Sequence, residues 1–128
     1  MLATAEQYAA MLDGAATGGY AFAAINVTSS QTLNAALRGF AEAGADGIVQ
    51  ITVGGARYLS GAARDAATGA RALAALSTEL AQRLPIAVAL HTDHCPPEHL
   101  DTFLRPLLAG SQDRVRRGER PWFHSHMF

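Results

Sequence analysis

The chain has 128 residues, 49% apolar and 16% charged, with a net charge of −1. That is room for one domain with a core, and the balance excludes a disordered chain and any field that recruits nucleic acid or an anionic membrane. The single cysteine, Cys95, excludes an intrachain disulfide. All basic residues are arginine, so no lysine amine is present for Schiff-base chemistry.

The amino end shows no basic stretch followed by an apolar run, so no signal peptide is visible, and the longest apolar runs are too short to span a bilayer. An intracellular, cytoplasmic location follows as the default. A first helix is expected from the capping-box pattern of Thr4 and Gln7 to the stop at Gly18 and Gly19. Residues 20–27 then form a short apolar run ending near the polar Asn26, which reads as a first strand. Thr28 and Gln31 repeat the capping pattern, Leu33, Leu37 and Phe40 follow at helical spacing, and Gly44 sits where that helix ends.

The unit recurs. Residues 47–52 read as a second strand, continuously apolar and so buried on both faces, with Gly54 and Gly55 as a break. A helical pattern through Leu73, Leu76 and Leu80 stops before Pro85. Residues 85–90 form the third strand and run into His91. Pro96 and Pro97 open another helix, kinked or restarted at Pro106, and residues 121–128 read as a fourth strand. Four arginines, Arg114, Arg116, Arg117 and Arg120, read as a solvated helix face.

Strands alternating with helices imply an α/β fold of parallel strands with right-handed crossovers. Two closures fit: an open doubly wound sheet and a (β/α)8 barrel. No Gly-x-Gly-x-x-Gly follows the first strand, which disfavours a dinucleotide-binding sheet. A barrel takes about 250 residues, so residues 1–128 are expected to be a single partial domain, roughly the first half of a barrel, in a truncated sequence. Unpaired sheet edges would then favour self-association, and a homo-oligomer is expected.

In either closure the chemistry gathers at the carboxyl ends of the strands. Asn26, Thr52, His91, Asp93 and His94 all lie there. Asn26 and Thr52 are each ordinary helix caps if taken alone. Asp93 and His94 are adjacent, so they converge on one ligand only where the strand has ended and the chain turns. An imidazole there suits a metal and a carboxylate suits proton transfer; equally, Asp93 could cap the next helix with His94 on the surface. His91 shares the face of Asp93 and is expected to orient it or to satisfy buried backbone. His124 and His126 have strand spacing and read as a hydrogen-bonded pair rather than a metal pair, and Cys95 as a small buried hydrophobe.

The run Ala89, Leu90, His91, Thr92, Asp93, His94, Cys95, Pro96 resembles the signature of the class II, metal-dependent fructose-bisphosphate aldolases of the longer-chain subgroup. Ile48, Val49 and Gln50 with Gly54, Gly55 and Ala56 resemble the family's second-strand segment, and His124, Ser125, His126 and Met127 its Ser-His-Met stretch. The resemblance implies a TIM barrel that reversibly cleaves fructose 1,6-bisphosphate to dihydroxyacetone phosphate and glyceraldehyde 3-phosphate. It makes Asp93 the catalytic residue exchanging a proton with the aldehyde half, and His94 a ligand of a catalytic Zn2+. It puts Asn26 and Thr52 against the sugar phosphate; Thr52 stands where the family usually has serine. An aldol cleavage needs an iminium or a metal to hold the electrons left beside the carbonyl, and a chain without lysine fits the metal route. The other metal ligands and the phosphate-binding loop of the family have no counterpart in these residues, so the chain as given is expected to be inactive. The alternatives are a half-barrel module that self-associates without catalysis, and an aldolase for another ketose bisphosphate.

Overall fold

In the computed structural model, which describes all of residues 1–128, the chain begins with helix α1, Ala5–Gly18. Thr4 and Gln7 make the expected capping box, and Gly19 closes the helix in the left-handed region. Strand β1 is short, Ala24–Asn26. It is followed by helix α2, Ser30–Ala43. The capping residue of α2 is Ser29, reciprocated by Thr32, one position later than the Thr28–Gln31 pattern implied. Strand β2, Gly47–Ile51, runs directly into helix α3, Val53–Leu59. Gly54 and Gly55 therefore begin a helix rather than break the chain. A 3₁₀ turn, Gly61–Ala63, leads to helix α4, Ala66–Ala81.

Strand β3 spans Val88–Thr92, so His91 and Thr92 belong to it and Pro85 to Ala87 do not. A 3₁₀ turn, Pro97–His99, and a π-helical turn, Leu100–Leu104, precede helix α5, Arg105–Arg116. The wide turn has a local cause: Pro106 lacks the N–H that would close the ordinary α-helical bond onto Thr102. Strand β4 is only Ser125–His126; the rest of the expected fourth strand is irregular. No helix is long and apolar enough to cross a membrane.

The four strands are all parallel, in the order β1-β2-β3-β4. The helix-covered face carries Val49, Ile51, Val88, Leu90 and Thr92, each at most 1% exposed. They pack on Leu33, Leu37, Ala70, Leu73, Phe103 and Leu107. The other face carries Ala24, Ile48 and Ala89 in register, then Asn26, Gln50, His91 and Ser125 in register. In β2 burial alternates, with Ile48 and Gln50 only half-buried, so this strand is not buried on both faces as its continuous apolar character implied. β1 is an edge strand and all three of its residues are exposed.

This is an α/β arrangement of consecutive parallel βα units curved like half of a barrel. The apolar row and the polar row on the open face are the stacked layers expected of a barrel interior.

Candidate functional site at the strand ends

The polar row, Asn26, Gln50, His91 and Ser125, lies across the carboxyl ends of all four strands. One step further along, Thr52 and Asp93 follow β2 and β3. The Asp93 N–H donates to the Ile51 carbonyl at 3.0 Å, so the chain at Asp93 still leans on β2 as it leaves the sheet. Asp93 is thus the first residue past β3; the chain runs on irregularly to Pro96, with the Cys95 N–H donating to the Met127 carbonyl at 3.1 Å.

The Asp93 carboxylate accepts from two directions: Asn26 Nδ2 at 3.1 Å and the His94 N–H at 2.9 Å. Burial alone pushes this carboxyl up. The Asn26 and His94 hydrogen bonds and the nearby imidazoles of His94 and His91 outweigh it and hold the pKa below the ordinary aspartate value. Asp93 is therefore ionised at neutral pH. The first turn after β3 carries no side-chain cap, so Asp93 is not spent on capping a helix.

His94 is exposed at the mouth of this end of the sheet. Thr52 is half-buried and caps α3, its Oγ1 accepting from the Gly55 N–H at 2.9 Å. The hydroxyl proton of Thr52 is left for a second partner, since capping uses only a lone pair.

His91 differs from expectation. Its Nδ1 pairs with Ser125 Oγ at 2.8 Å, and Ser125 Oγ pairs in turn with Tyr8 Oη at 2.8 Å. It makes no hydrogen bond to Asp93. Burial pushes the His91 pKa down, against the raising influence of the Asp93 charge. The two later histidines are each hydrogen-bonded. His124 Nδ1 accepts from the Leu90 N–H and its Nε2 donates to the Ala3 carbonyl, both at 2.9 Å, and His126 Nδ1 meets Thr92 Oγ1 at 2.8 Å. Cys95 is buried, and burial pushes its thiol pKa up, away from nucleophilic use.

Asn26 and Asp93 are 67 positions apart in the chain and touch. His94 follows Asp93 in the irregular segment past β3, and Thr52 stands on the neighbouring strand end. Gln50 and Ser125 carry no role in the sequence reading, although both sit in the polar row. The signal for Gln50 was present: it is the one polar side chain within the apolar second strand. No three His, Cys, Asp or Glu side chains converge to make a metal site. As a donor set this end offers one accessible imidazole with a carboxylate beside it, a partial match to the three protein ligands of a catalytic zinc.

Comparison with known proteins gives a consistent picture. The family model described as "Fructose-bisphosphate aldolase class-II" matches residues 6–128. A fructose-bisphosphate aldolase of Streptomyces galbus is 58% identical over 128 residues, which is 99% of this chain and 38% of the relative. One from Corynebacterium glutamicum is 59% identical over 99% of this chain and 37% of the relative. A crystal structure of the fructose-bisphosphate aldolase of Campylobacter jejuni superposes with a TM-score of 0.88 at 25% identity, covering 98% of this chain and 36% of that one. The chain thus spans under two-fifths of the length of these relatives.

Proposed function

The chain belongs to the class II fructose-bisphosphate aldolase family, and from that premise we propose that it supplies the first four strands of an enzyme that reversibly cleaves fructose 1,6-bisphosphate into dihydroxyacetone phosphate and glyceraldehyde 3-phosphate. The observation that carries the reading is the bond from Asn26 to Asp93 at the mouth of the parallel sheet, with the adjacent His94 exposed. The family is metal-dependent, and its sugar phosphate chemistry belongs in the cytoplasm.

In this reading Asp93 is the proton-transfer group. In the cleavage direction its carboxylate takes the hydroxyl proton as the carbon–carbon bond breaks and the aldehyde forms; in condensation it returns that proton to the aldehyde oxygen. Ionisation at neutral pH suits the first of these steps. Asn26 fixes the carboxylate and retains an amide proton and a carbonyl oxygen for substrate. Thr52 offers its hydroxyl proton from the adjacent strand end. His94 is one ligand of the metal, zinc by resemblance; the remaining ligands come from outside these residues. When bound, that metal supplies a Lewis acid for a carbonyl oxygen.

The test is a segment exchange, with residues 1–128 replacing the matching part of the Corynebacterium glutamicum relative. The hybrid is expected to cleave fructose 1,6-bisphosphate, and the 128-residue chain alone to show no turnover in a zinc titration. A folded hybrid without cleavage sinks the aldolase reading. Turnover by the chain alone sinks the assignment of the other ligands to residues elsewhere.

A further inference from the structure

Beside Thr52, at the carboxyl end of β2, α3 and the following turn border an open surface cavity of about 470 Å³ lined by the exposed Gly54, Arg57, Tyr58, Gly61 and Arg64. Its lining holds two cations and no acid. That is unusual for this chain, whose arginines are mostly committed. Arg38, Arg105, Arg114, Arg116 and Arg117 pair with carboxylates, Arg71 donates to Thr68, and Arg120 donates to the Leu2 carbonyl. Only Arg57, Arg64 and Arg83 make no side-chain bond, and two of these three line one cavity.

The acid nearest in sequence is spoken for as well. Asp65 accepts from the Ala67 N–H and from Thr68 Oγ1 in capping α4, which leaves the adjacent Arg64 unneutralised. The backbone gives a second, independent sign. Arg64 is the only residue other than glycine with positive φ, at 48°. Glycine would take that conformation more easily, so an arginine held there is a strained choice of the kind found at ligand sites. Two unpaired guanidinium forks, a phenol and two glycines that let a ligand approach the backbone suit a tetrahedral dianion.

We propose that Arg57 and Arg64, with Tyr58, form a subsite for a phosphate monoester group at the mouth of β2. That the group is a phosphate of the sugar substrate rests on the function proposed above; the anion site itself does not. Position supports the link, because Thr52 Oγ1 lies 3.9 Å from where a Cβ on the cavity-lining Gly54 would be.

The experiment is a titration of the ¹⁵N-labelled chain with inorganic phosphate, with ionic strength held constant by sodium chloride. Saturable shifts of the Gly54 and Gly61 amides are expected. Arg57→Gln and Arg64→Gln should each weaken binding about ten-fold or more, as loss of a charge-assisted bond does, while Arg83→Gln changes it less than about two-fold. Both target side chains are exposed and unpaired, so these variants keep the fold. Arg64→Gly, which relieves the left-handed residue, must weaken phosphate equally. Absence of saturable shifts, or equal weakening by Arg83→Gln, overturns the subsite. A second arm compares glyceraldehyde 3-phosphate with glyceraldehyde at the same amides. Shifts with the phosphate ester alone support the substrate link, and no shift with either overturns that link. Phosphate binding to the arginines alongside an inactive hybrid would overturn the aldolase reading and leave the anion site standing.

Discussion

The α3–α4 contact sets where Thr52 and the arginine cavity sit, and Gly69 is its tightest point. A Cβ on Gly69 would fall far inside contact distance of the Ala56 carbonyl oxygen, 2.8 Å from its carbon and 3.1 Å from the Ser60 nitrogen. These are backbone atoms of α3 and its C-cap, so no side-chain rotation relieves the overlap. Gly69→Ala must push α3 away from α4. Overpacking of this kind destabilises by about 1–3 kcal/mol, and here the upper end applies because backbone meets backbone. The better helix propensity of alanine returns about 1 kcal/mol, leaving a net loss of roughly 2 kcal/mol. Gly39 is the control: it lies within α2, is exposed, and a Cβ there meets nothing within 4 Å. Gly39→Ala should therefore stabilise by about 0.5–1 kcal/mol. With a urea slope of about 2 kcal/mol/M, the midpoint of Gly69→Ala falls by about 1 M while that of Gly39→Ala rises by about 0.3–0.5 M. If Gly69→Ala is neutral or stabilising, the close approach of α3 and α4 is wrong, and with it the placement of the cavity.

Three further outcomes follow from individual groups. Asn26→Ala removes a bond to the ionised form of Asp93 while burial remains, so the Asp93 pKa must rise; a ¹³C titration of the carboxyl carbon checks this, and an unchanged value contradicts the contact. Ser77→Ala should be neutral or stabilising by about 1 kcal/mol, because the fully buried hydroxyl has no hydrogen-bond partner; a clear loss in the urea midpoint would show that the hydroxyl is satisfied. Burial pushes the pKa values of His91 and His126 down, so the unfolded chain binds these protons more readily than the folded one. Their contribution is complete above the unfolded histidine value of about 6.5 and is lost as pH falls below it. The urea midpoint should accordingly drop between about pH 7.5 and 5.5, and a rise over that interval would reverse the assignment.

The parallel βα order was legible because apolar runs, glycine stops and caps recur along the chain. The errors were local. β1 proved shorter than its apolar run because residues 20–23 make no strand pairs. Gly54 and Gly55 looked like a break, yet the Thr52 cap starts a helix across them. At the site, the apolar strand before Asp93 and His94 and the two prolines beyond placed both residues just past a strand end, where β3 stops at Thr92; spacing alone left their roles open. The contact of Asn26 with Asp93 was not, since it depends on the register Asn26–Gln50–His91 across three strands. The same register hid Ser125, whose hydroxyl, rather than the Asp93 carboxylate, holds His91. Arg57 and Arg64 were invisible for a different reason: their significance lies in lacking the partners that the other arginines have found.

The division of labour between Asp93 and His94 is tested most directly by Asp93→Asn in the hybrid described above. Substitution of the carboxylate by its neutral isostere removes the proton acceptor and leaves the His94 imidazole in place. The expected result is a fall in kcat of about 10²–10⁴ with bound metal unchanged. Retention of kcat, or loss of the metal together with activity, would contradict the assignment of proton transfer to Asp93 and metal binding to His94.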